Sequence, residues 1–431
     1  MIFCISGFPL WLVMAIFLFP VYPDTESITL SESEKDNINA GLEIGTGLSG
    51  LLETRSFARS MSRMALSVGP YLGAIGPFVG LIMAFIPSDT AELAFAKKMM
   101  KQIDNRFDRV DSQFNNVEKL IQWNAVKVNF GQIEQKILAM SREFQLMYEV
   151  PQSAVENRKI LFVNHYHSDY QNSGFKLYHA VIGKQGTFQE NLGTSVMRYT
   201  KNDRKLTQGF LLGIMKLLLQ AVKIELAYLQ VQRFDNNVVF MKKKWEKRFK
   251  EVTSNFEAVD LIVKKKYHVQ AGVDTIDLAV KSRWMTNKQF AAELFKMLKG
   301  KYYWRDWIVL VYNQISGWKN QAVAQCGGLV KFRTQGRNIV IASRDRNHTV
   351  MDLKRAEQDM KKVIVARRSG SWWTGYSTNP DEAKTVYQSL NKTGACNVAV
   401  IKCGSGLHYK FHARRFVYVN RCPYFSLSMW G

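Results

Sequence analysis

The segment from Met64 to Ser88 constrains the fold most, because it contains no charged residue. Its length matches the roughly 20 apolar residues that a helix needs to cross a bilayer. Pro70 and Pro77 interrupt it, and it is only moderately hydrophobic, so a permanent transmembrane helix is the less favoured interpretation. We expect a buried helix in a helical core, and a protein that conceals this segment in solution could release it at a membrane.

Glycines in this segment recur at spacings of four, three and four residues, which places them on one helical face that another helix could approach closely. They are Gly69, Gly73, Gly76 and Gly80. The residues that we predict to enter the membrane are Leu66, Val68, Gly69, Tyr71, Leu72, Gly73, Ile75, Gly76, Phe78, Val79, Gly80, Leu81, Ile82 and Phe85.

Charge indicates the class of partner. The chain has 431 residues, enough for two or three domains, and a formal net charge of +23. So basic a protein is expected to bind anionic partners, which include nucleic acid, acidic lipid headgroups and sulfated sugars.

Several features predict that the protein is exported, and an exported protein is less expected to have nucleic acid as its partner. Residues 1–23 contain an uncharged apolar run typical of a signal peptide, although no basic residue precedes it; an uncleaved anchor is the alternative. Two sequons begin at Asn347 and Asn391 and predict glycosylation. Four cysteines predict two disulfides whose pairing the sequence leaves open, and they are Cys326, Cys396, Cys403 and Cys422.

Helical patterns dominate the first two thirds of the chain. Residues 24–63 are interpreted as an exposed lead or pro-segment, and residues 64–299 as a helical bundle. A capping box at Asp89 starts a helix with an apolar stripe from Ile103 to Ile121, and a second stripe runs from Ile133 to Met147. Two further helices are predicted at 205–234 and 236–266, the first apolar nearly all round and therefore central in the bundle.

The sequence of residues 300–431 is typical of a mixed, β-rich domain that is cross-linked by disulfides. The predicted strands are 307–312, 329–332, 338–342, 363–366, 398–401 and 416–419, with helices at 350–362 and 381–390. The predicted fold class is therefore α+β multidomain, with an all-α N-terminal bundle.

Basic residues interleaved with aromatics predict a surface that binds an anionic membrane or glycan. The alternatives are a solvated helix face at 242–248 and a packed loop at 372–373. The predicted surface-binding residues are Lys242, Lys243, Lys244, Trp245, Arg367, Arg368, Trp372, Trp373, Arg414 and Arg415.

Catalytic motifs are not evident. The chain lacks a phosphate-binding Gly-rich loop, a nucleophile elbow and a zinc-protease signature. His165, His167 and Asp169 lie close in sequence but are not expected to bind a metal. His408 and His412 fit a basic binding face better than acid–base chemistry. We predict a protein with no enzyme activity, no cofactor and no metal.

The stretch from Ala65 to Glu149 resembles the cnidarian jellyfish toxins, the cytolysins of box jellyfish. The resemblance lies in Phe85-Ile86-Pro87-Ser88-Asp89, in residues 97–108 (KKMMKQIDNRFD) and in residues 113–123 (QFNNVEKLIQW). The rapunzel-type proteins of fish share this N-terminal pattern. The resemblance implies a bundle similar to the pore-forming domain of insecticidal crystal toxins, secretion into nematocyst venom, membrane insertion, cytolysis such as hemolysis, and a homo-oligomer.

Sequence therefore predicts a secreted pore-forming toxin that binds cell membranes and inserts the Gly-rich segment. Two alternatives remain open: a secreted glycan- or glycosaminoglycan-binding protein, and a rapunzel-like structural protein without lytic activity.

Overall fold

The computed structural model describes residues 124–183, 191–326, 330–373 and 375–431, with eight residues nearer the N-terminus. Those eight are Phe57, Met61, Val68, Gly69, Tyr71, Leu72, Ile75 and Val79. The chain divides into two compact units, up to Lys264 and from Lys265. As the sequence predicts, a helical region is followed by a β-rich part with two disulfides. The predicted signal peptide, the capping box at Asp89 and the stripe 103–121 lie outside the described residues.

The first unit is all helical where it is described. Its helices are α1 (Asn124–Glu149), a 3-10 turn (Gln152–Ala154), α2 (Val155–His165), a π-helical turn (Tyr166–Tyr170), α3 (Ser173–Ile182), α4 (Leu192–Tyr199), α5 (Arg204–Val231) and α6 (Asp235–Lys265). Helix α1 ends two residues before Pro151, as predicted, because proline cannot continue a helix.

Helix α5 forms the centre of the bundle. From Thr207 to Ile224 every one of its residues is buried, which confirms the prediction from its all-round apolar sequence. The predicted stripe of α1 packs against it, with Ile133, Ile137 and Phe144 all buried in the same core. A helix buried on all sides makes the surrounding helices depend on it for their apolar contacts.

A buried ion pair joins α5 to α6. Arg204 donates from Nε to Asp260 Oδ1 at 2.7 Å and from its terminal nitrogen to Oδ2 at 2.6 Å, and Gln208 adds a third bond to Oδ1 at 2.7 Å. Both charged side chains are less than a tenth exposed. Such a pair is stable only while both partners and the amide are present, since either charge left alone would be desolvated without compensation.

Part of the predicted lead belongs to the bundle. Phe57 and Met61, which lie in the 24–63 range, are helical and fully buried in the core of the first unit. Removing them with a pro-segment would leave cavities in that core. Phe57 and Met61 themselves are therefore part of the core rather than of an exposed lead.

The second unit begins with α7 (Tyr267–Lys281) and α8 (Asn287–Lys301). Its strands are β1 (Arg305–Asn313), β2 (Gln321–Gln325), β3 (Val330–Thr334), β4 (Arg337–Asp345), β5 (Ala366–Ser371), β6 (Gly375–Pro380), β7 (Asn397–Lys402), β8 (His408–Phe411), β9 (Phe416–Arg421) and β10 (Phe425–Trp430). Two more helices are α9 (Leu353–Lys362) and α10 (Ala383–Ser389).

Two antiparallel four-stranded sheets stack on each other. One has the order β3-β4-β1-β8 and the other β2-β7-β10-β9, while β5 and β6 form a separate hairpin. Leu310 and Trp430 lie in the core between the sheets. Helices α7 and α8 contribute to a core with Val309 on the outer face of the first sheet, and α9 and α10 cover the second, so β1 is buried on both faces.

The domain boundary differs from the predicted 299/300 position. Helices α7 and α8 bury Ala271, Phe290 and Leu298 in the core that contains Trp307 and Val309 of β1, and so they belong to the second unit. Their amphipathic sequences do not specify whether a helix or a sheet receives the apolar face, which is why the sequence placed them in the bundle.

The disulfides join loops and strand ends in the second sheet. Cys326, which follows β2, bonds Cys396 just before β7, and Cys403, just after β7, bonds Cys422 after β9. They close sequence separations of 70 and 19 residues. The pairing that the sequence left open is thus fixed by strand order.

Replacing Asp260 by alanine should reduce the free energy of unfolding of the first unit by about 3–5 kcal/mol, because the buried Arg204 would lose both hydrogen bonds to this carboxylate. Denaturant unfolding followed by circular dichroism would measure the change. Arg142→Ala, which removes an exposed partner of Glu149, should cost less than about 1 kcal/mol. A cost for D260A no larger than that of the control would show that Asp260 contributes little.

Candidate functional site

The predicted membrane-inserting segment contributes directly to the bundle core. Its described residues are helical, and Val68, Leu72, Ile75 and Val79, spaced by four, three and four, are all buried. Tyr71 is buried as well and donates from its hydroxyl to the carbonyl oxygen of Leu219 on α5 at 3.1 Å. The predicted residues Leu66, Gly73, Gly76, Phe78, Gly80, Leu81, Ile82 and Phe85 lie outside the described residues.

Release of this segment would be costly. Burial of each apolar side chain stabilises by roughly 2 kcal/mol, so exposing the five buried residues to water would cost on the order of 10 kcal/mol. An equally apolar environment, such as a bilayer, would have to replace the core. The segment also lies beside α6, since a Cβ at Gly69 would be 3.6 Å from Glu246 Oε1.

Helix α5 carries charges inside the core. Lys216 and Lys223 are buried, and Lys223 Nζ lies 5.7 Å from the ring centroid of Phe144. Within the part of the chain that the structure describes, no helix is both long enough and apolar enough to span a membrane.

Trp245 does not belong to the predicted binding surface, because it is fully buried. Its indole nitrogen donates to Glu225 Oε2 at 2.6 Å. The neighbouring Lys243 and Lys244 are exposed, and Lys244 Nζ lies 5.5 Å from the exposed ring of Phe240. Lys242 is half-buried, and that burial lowers the pKa of its amine. The helix phase explains the difference: Trp245 takes the inward face of α6.

A cluster of aromatic and charged groups surrounds Trp245. The Arg248 guanidinium lies 4.6 Å from the Trp245 ring and 5.1 Å from the Tyr178 ring, and Tyr178 donates to Glu251. Burial, and then this hydrogen bond, raise the pKa of Tyr178 to about 12. Burial also raises the pKa of Glu225, while the Trp245 hydrogen bond and the Arg248 charge oppose the shift. Glu225 is therefore a carboxyl whose ionisation works against folding.

The β5–β6 hairpin presents Trp372 and Trp373 at its tip, as the sequence predicts for a loop. The two indoles are 72% and 80% exposed, with ring centroids 4.3 Å apart. Gly370 (φ +112°) is required at the base of the turn, because a Cβ there would lie 2.1 Å from the Gly375 carbonyl oxygen. The structure thus confirms a loop at Trp372 and Trp373 and leaves both indoles exposed.

Cationic and aromatic side chains line the same hairpin. Arg367 and Arg368 are exposed, and the Arg368 guanidinium stacks 3.9 Å from the ring centroid of Tyr376. Arg367 also contacts Asp381 and lines a groove of about 520 Å³. Sequence reasoning missed this groove and Tyr376, since it did not predict β6. The other groove residues are Arg355, Asp359, Lys362, Val363, Ile364, Asp381, Thr385, Ser389 and Asn391.

The predicted pair Arg414 and Arg415 is split by the structure. Arg414 is exposed, whereas Arg415 is buried and donates to Asp306 Oδ2 at 2.8 Å and to the carbonyl oxygens of Arg346 and His348. Arg415 therefore holds a loop in place and does not form part of the binding surface. That loop exposes the sequon residue Asn347, and the second sequon residue, Asn391, is exposed as well.

The histidines have structural contacts. His412 Nδ1 accepts from the backbone N–H of Trp307 at 2.8 Å, and burial lowers its pKa. His167 lies 3.2 Å from the Tyr228 hydroxyl, while His165 Nδ1 lies 3.9 Å from Glu143 Oε2. Among the residues described, no three His, Cys, Asp or Glu side chains are grouped as metal ligands would be.

Comparison with known families identifies the helical region. Residues 87–283 match the family described as the cephalotoxin-like middle helical domain. No curated protein and no solved structure matches the chain. Helices α1 to α7 lie within the matched range, so the described helical region has a toxin-like character. A domain of this kind is consistent with a non-catalytic protein, and with the two disulfides it is consistent with secretion.

Glu225→Gln should stabilise the first unit increasingly as pH rises. Folding raises the pKa of Glu225, so the folded state binds the proton of this carboxyl more tightly than the unfolded state does. The contribution of Glu225 to the free energy of unfolding of the wild type therefore falls as pH rises through the folded pKa. Glutamine keeps an acceptor for Trp245 and has no charge to desolvate. Denaturant unfolding at a series of pH values would measure the difference between the two proteins.

The matched control is Glu156→Gln, because Glu156 is exposed at the start of α2 and water screens its charge. Its stability difference from the wild type should vary less with pH. Parallel pH curves for E225Q and the wild type would contradict the assignment of Glu225.

Proposed function

We propose that this protein is a secreted, pore-forming toxin that attaches to cell membranes and then inserts the segment around residues 66–85. The observation that carries the proposal is the match of residues 87–283 to a cephalotoxin-like helical domain. The proposal includes assembly into a homo-oligomer within the target membrane and no enzymatic activity. Storage in the nematocyst and hemolysis are part of it through the resemblance to jellyfish toxins.

Two features of the described residues support a binding step followed by an insertion step. The tryptophan hairpin and the exposed lysines of α6 are available without any change of fold. Indole rings favour the headgroup region of a bilayer, and basic side chains add attraction to anionic lipid. Val68, Tyr71, Leu72, Ile75 and Val79 are concealed in the core, so insertion must follow a loosening of the bundle.

Fixing the segment to the bundle should block lysis and leave binding intact. The variant is Gly69→Cys with Glu246→Cys, in a chain whose Cys4 is serine, joined by a short bis-maleimide; these positions are neighbours in the first unit. The cross-linked protein should bind vesicles as well as the wild type does but release at least about tenfold less entrapped dye, because Gly69 would stay joined to α6. A charge at Ile75 would be a poorer test, because Ile75 is buried and the substitution would destabilise the fold.

The control cross-link joins Arg142→Cys to Glu149→Cys, two exposed positions within α1. It should leave dye release unchanged, as should the G69C/E246C protein before cross-linking. Full dye release by the G69C/E246C cross-linked protein would exclude this segment as the inserting element.

Removing the hairpin indoles should weaken attachment. Trp372→Ser with Trp373→Ser should lower vesicle affinity by roughly thirtyfold (about 2 kcal/mol), since each indole would otherwise bury apolar area in the interface. Vesicle co-sedimentation measures the affinity. Trp318→Ser is the matched control, because Trp318 is also well exposed (60%) but lies outside the hairpin. Equal losses for both variants would remove the hairpin from the binding surface.

A second candidate function is glycan binding without lysis. It is favoured by the groove beside the hairpin, where Arg355, Lys362 and Arg367 could hold a sulfated sugar next to exposed aromatic rings. That function predicts binding to immobilised heparin, abolished by salt, and no dye release at any protein concentration. A rapunzel-like structural role predicts neither activity.

A further inference from the structure

Helix α7 exposes all of its β-branched apolar residues, whereas Tyr267 and Leu278 are partly buried against the core of the second unit. The side that packs in the second unit buries small residues, Ala271, Thr275 and Ala279. The opposite side exposes Val269 (62%), Val273 (47%), Ile276 (43%) and Val280 (44%). A helix whose only task was to cover the sheet would have the reverse arrangement.

The exposed residues form one continuous strip. Their spacing of four, three and four residues places them within an arc of roughly 60°, because each residue turns an α-helix by about 100°. Trp284, which is 76% exposed, follows just beyond the end of the helix. Exposed apolar strips of this kind mark interaction sites.

Charge indicates which partner the strip fits. Lys266 and Lys281 at the two ends of α7 are exposed, and so is Arg283 beside Trp284. Helix α7 has two acidic residues, Asp274 and Asp277, and both are half-buried. Asp274 is engaged by Lys301 at 2.6 Å and by the Tyr302 hydroxyl at 2.7 Å, so its negative charge is compensated. Asp277 lies one turn after Val273 and is less exposed than the three basic residues. The strip therefore has a predominantly cationic border.

We propose that this exposed face of α7 is a binding surface for an anionic lipid bilayer. An apolar helical face with a terminal tryptophan and a cationic border is the pattern of helices that lie in a membrane interface. A second copy of the chain would bring two cationic borders together, which disfavours it as the occupant. This inference rests on the proposed function in one respect, which is that the protein contacts a membrane. It does not require that the protein form a pore.

Full-length Val273→Ser with Ile276→Ser tests the surface by co-sedimentation with phosphatidylcholine vesicles, with and without phosphatidylserine. The wild type should bind the anionic vesicles more tightly, and the variant should bind them roughly tenfold more weakly, since two side chains no longer transfer apolar area. The matched control is Ile160→Ser with Leu161→Ser on α2, whose side chains are similarly exposed. Circular dichroism and thermal unfolding should be the same for all three proteins.

Loss of binding confined to the α7 variant would support the proposal. Unchanged binding by that variant, or an equal loss in the α2 control, would overturn it. Analytical ultracentrifugation tests whether a second copy of the chain occupies this face. If the wild type is a dimer that the α7 substitutions dissociate, and vesicle binding is unchanged, the face belongs to a second copy. If binding depends on α7 but the wild type releases no dye, the pore is rejected and the α7 surface is supported. If the wild type releases dye and the α7 variant binds as well as the wild type, the pore is supported and the α7 surface is rejected.

Discussion

The first unit depends on the burial of α5 on all of its sides. A helix of 28 residues enclosed in this way gives the surrounding helices a common apolar surface, but it also brings Lys216 and Lys223 into the core. Buried polar groups need hydrogen-bond or ionic partners. At the N-terminal end of α5, Asp260 is such a partner for Arg204. Specific polar contacts of this kind limit how the helices can be rearranged without loss of stability.

The same constraint bears on how the protein could act at a membrane. Val68, Leu72, Ile75 and Val79 supply apolar side chains to the core, and Tyr71 adds a hydroxyl hydrogen bond to α5. These residues therefore stabilise the fold that conceals them. Insertion would exchange one apolar environment for another, and the difference between them would be much smaller than the cost of exposure to water. The half-buried Glu225 destabilises the fold instead, because its ionisation opposes folding near the contact of α5 with Trp245. A stable bundle with a few unfavourable groups is compatible with a conformational change at a surface.

The second unit combines two stacked sheets with the exposed groups that we propose as binding surfaces. Two stacked sheets, with helices covering their outer faces and two disulfides in one sheet, hold the β5–β6 hairpin and the α7 strip in fixed positions. Neither feature adds large apolar side chains to a core, and both combine apolar groups with cationic ones. Pre-formed surfaces of this kind lose little conformational entropy when they bind.

The sequence by itself determined the class of the fold, the central place of α5, most of the long strands and the loop at Trp372 and Trp373, whose exposure it left open. These are local properties, set by residue periodicity, by proline and glycine, and by runs of apolar residues. Only the tertiary structure decided that Trp245 and Arg415 face inward, that α7 and α8 belong with the sheets, and how the cysteines pair. Those outcomes depend on which neighbour receives each face, and a helical period specifies that a face is apolar without specifying what covers it.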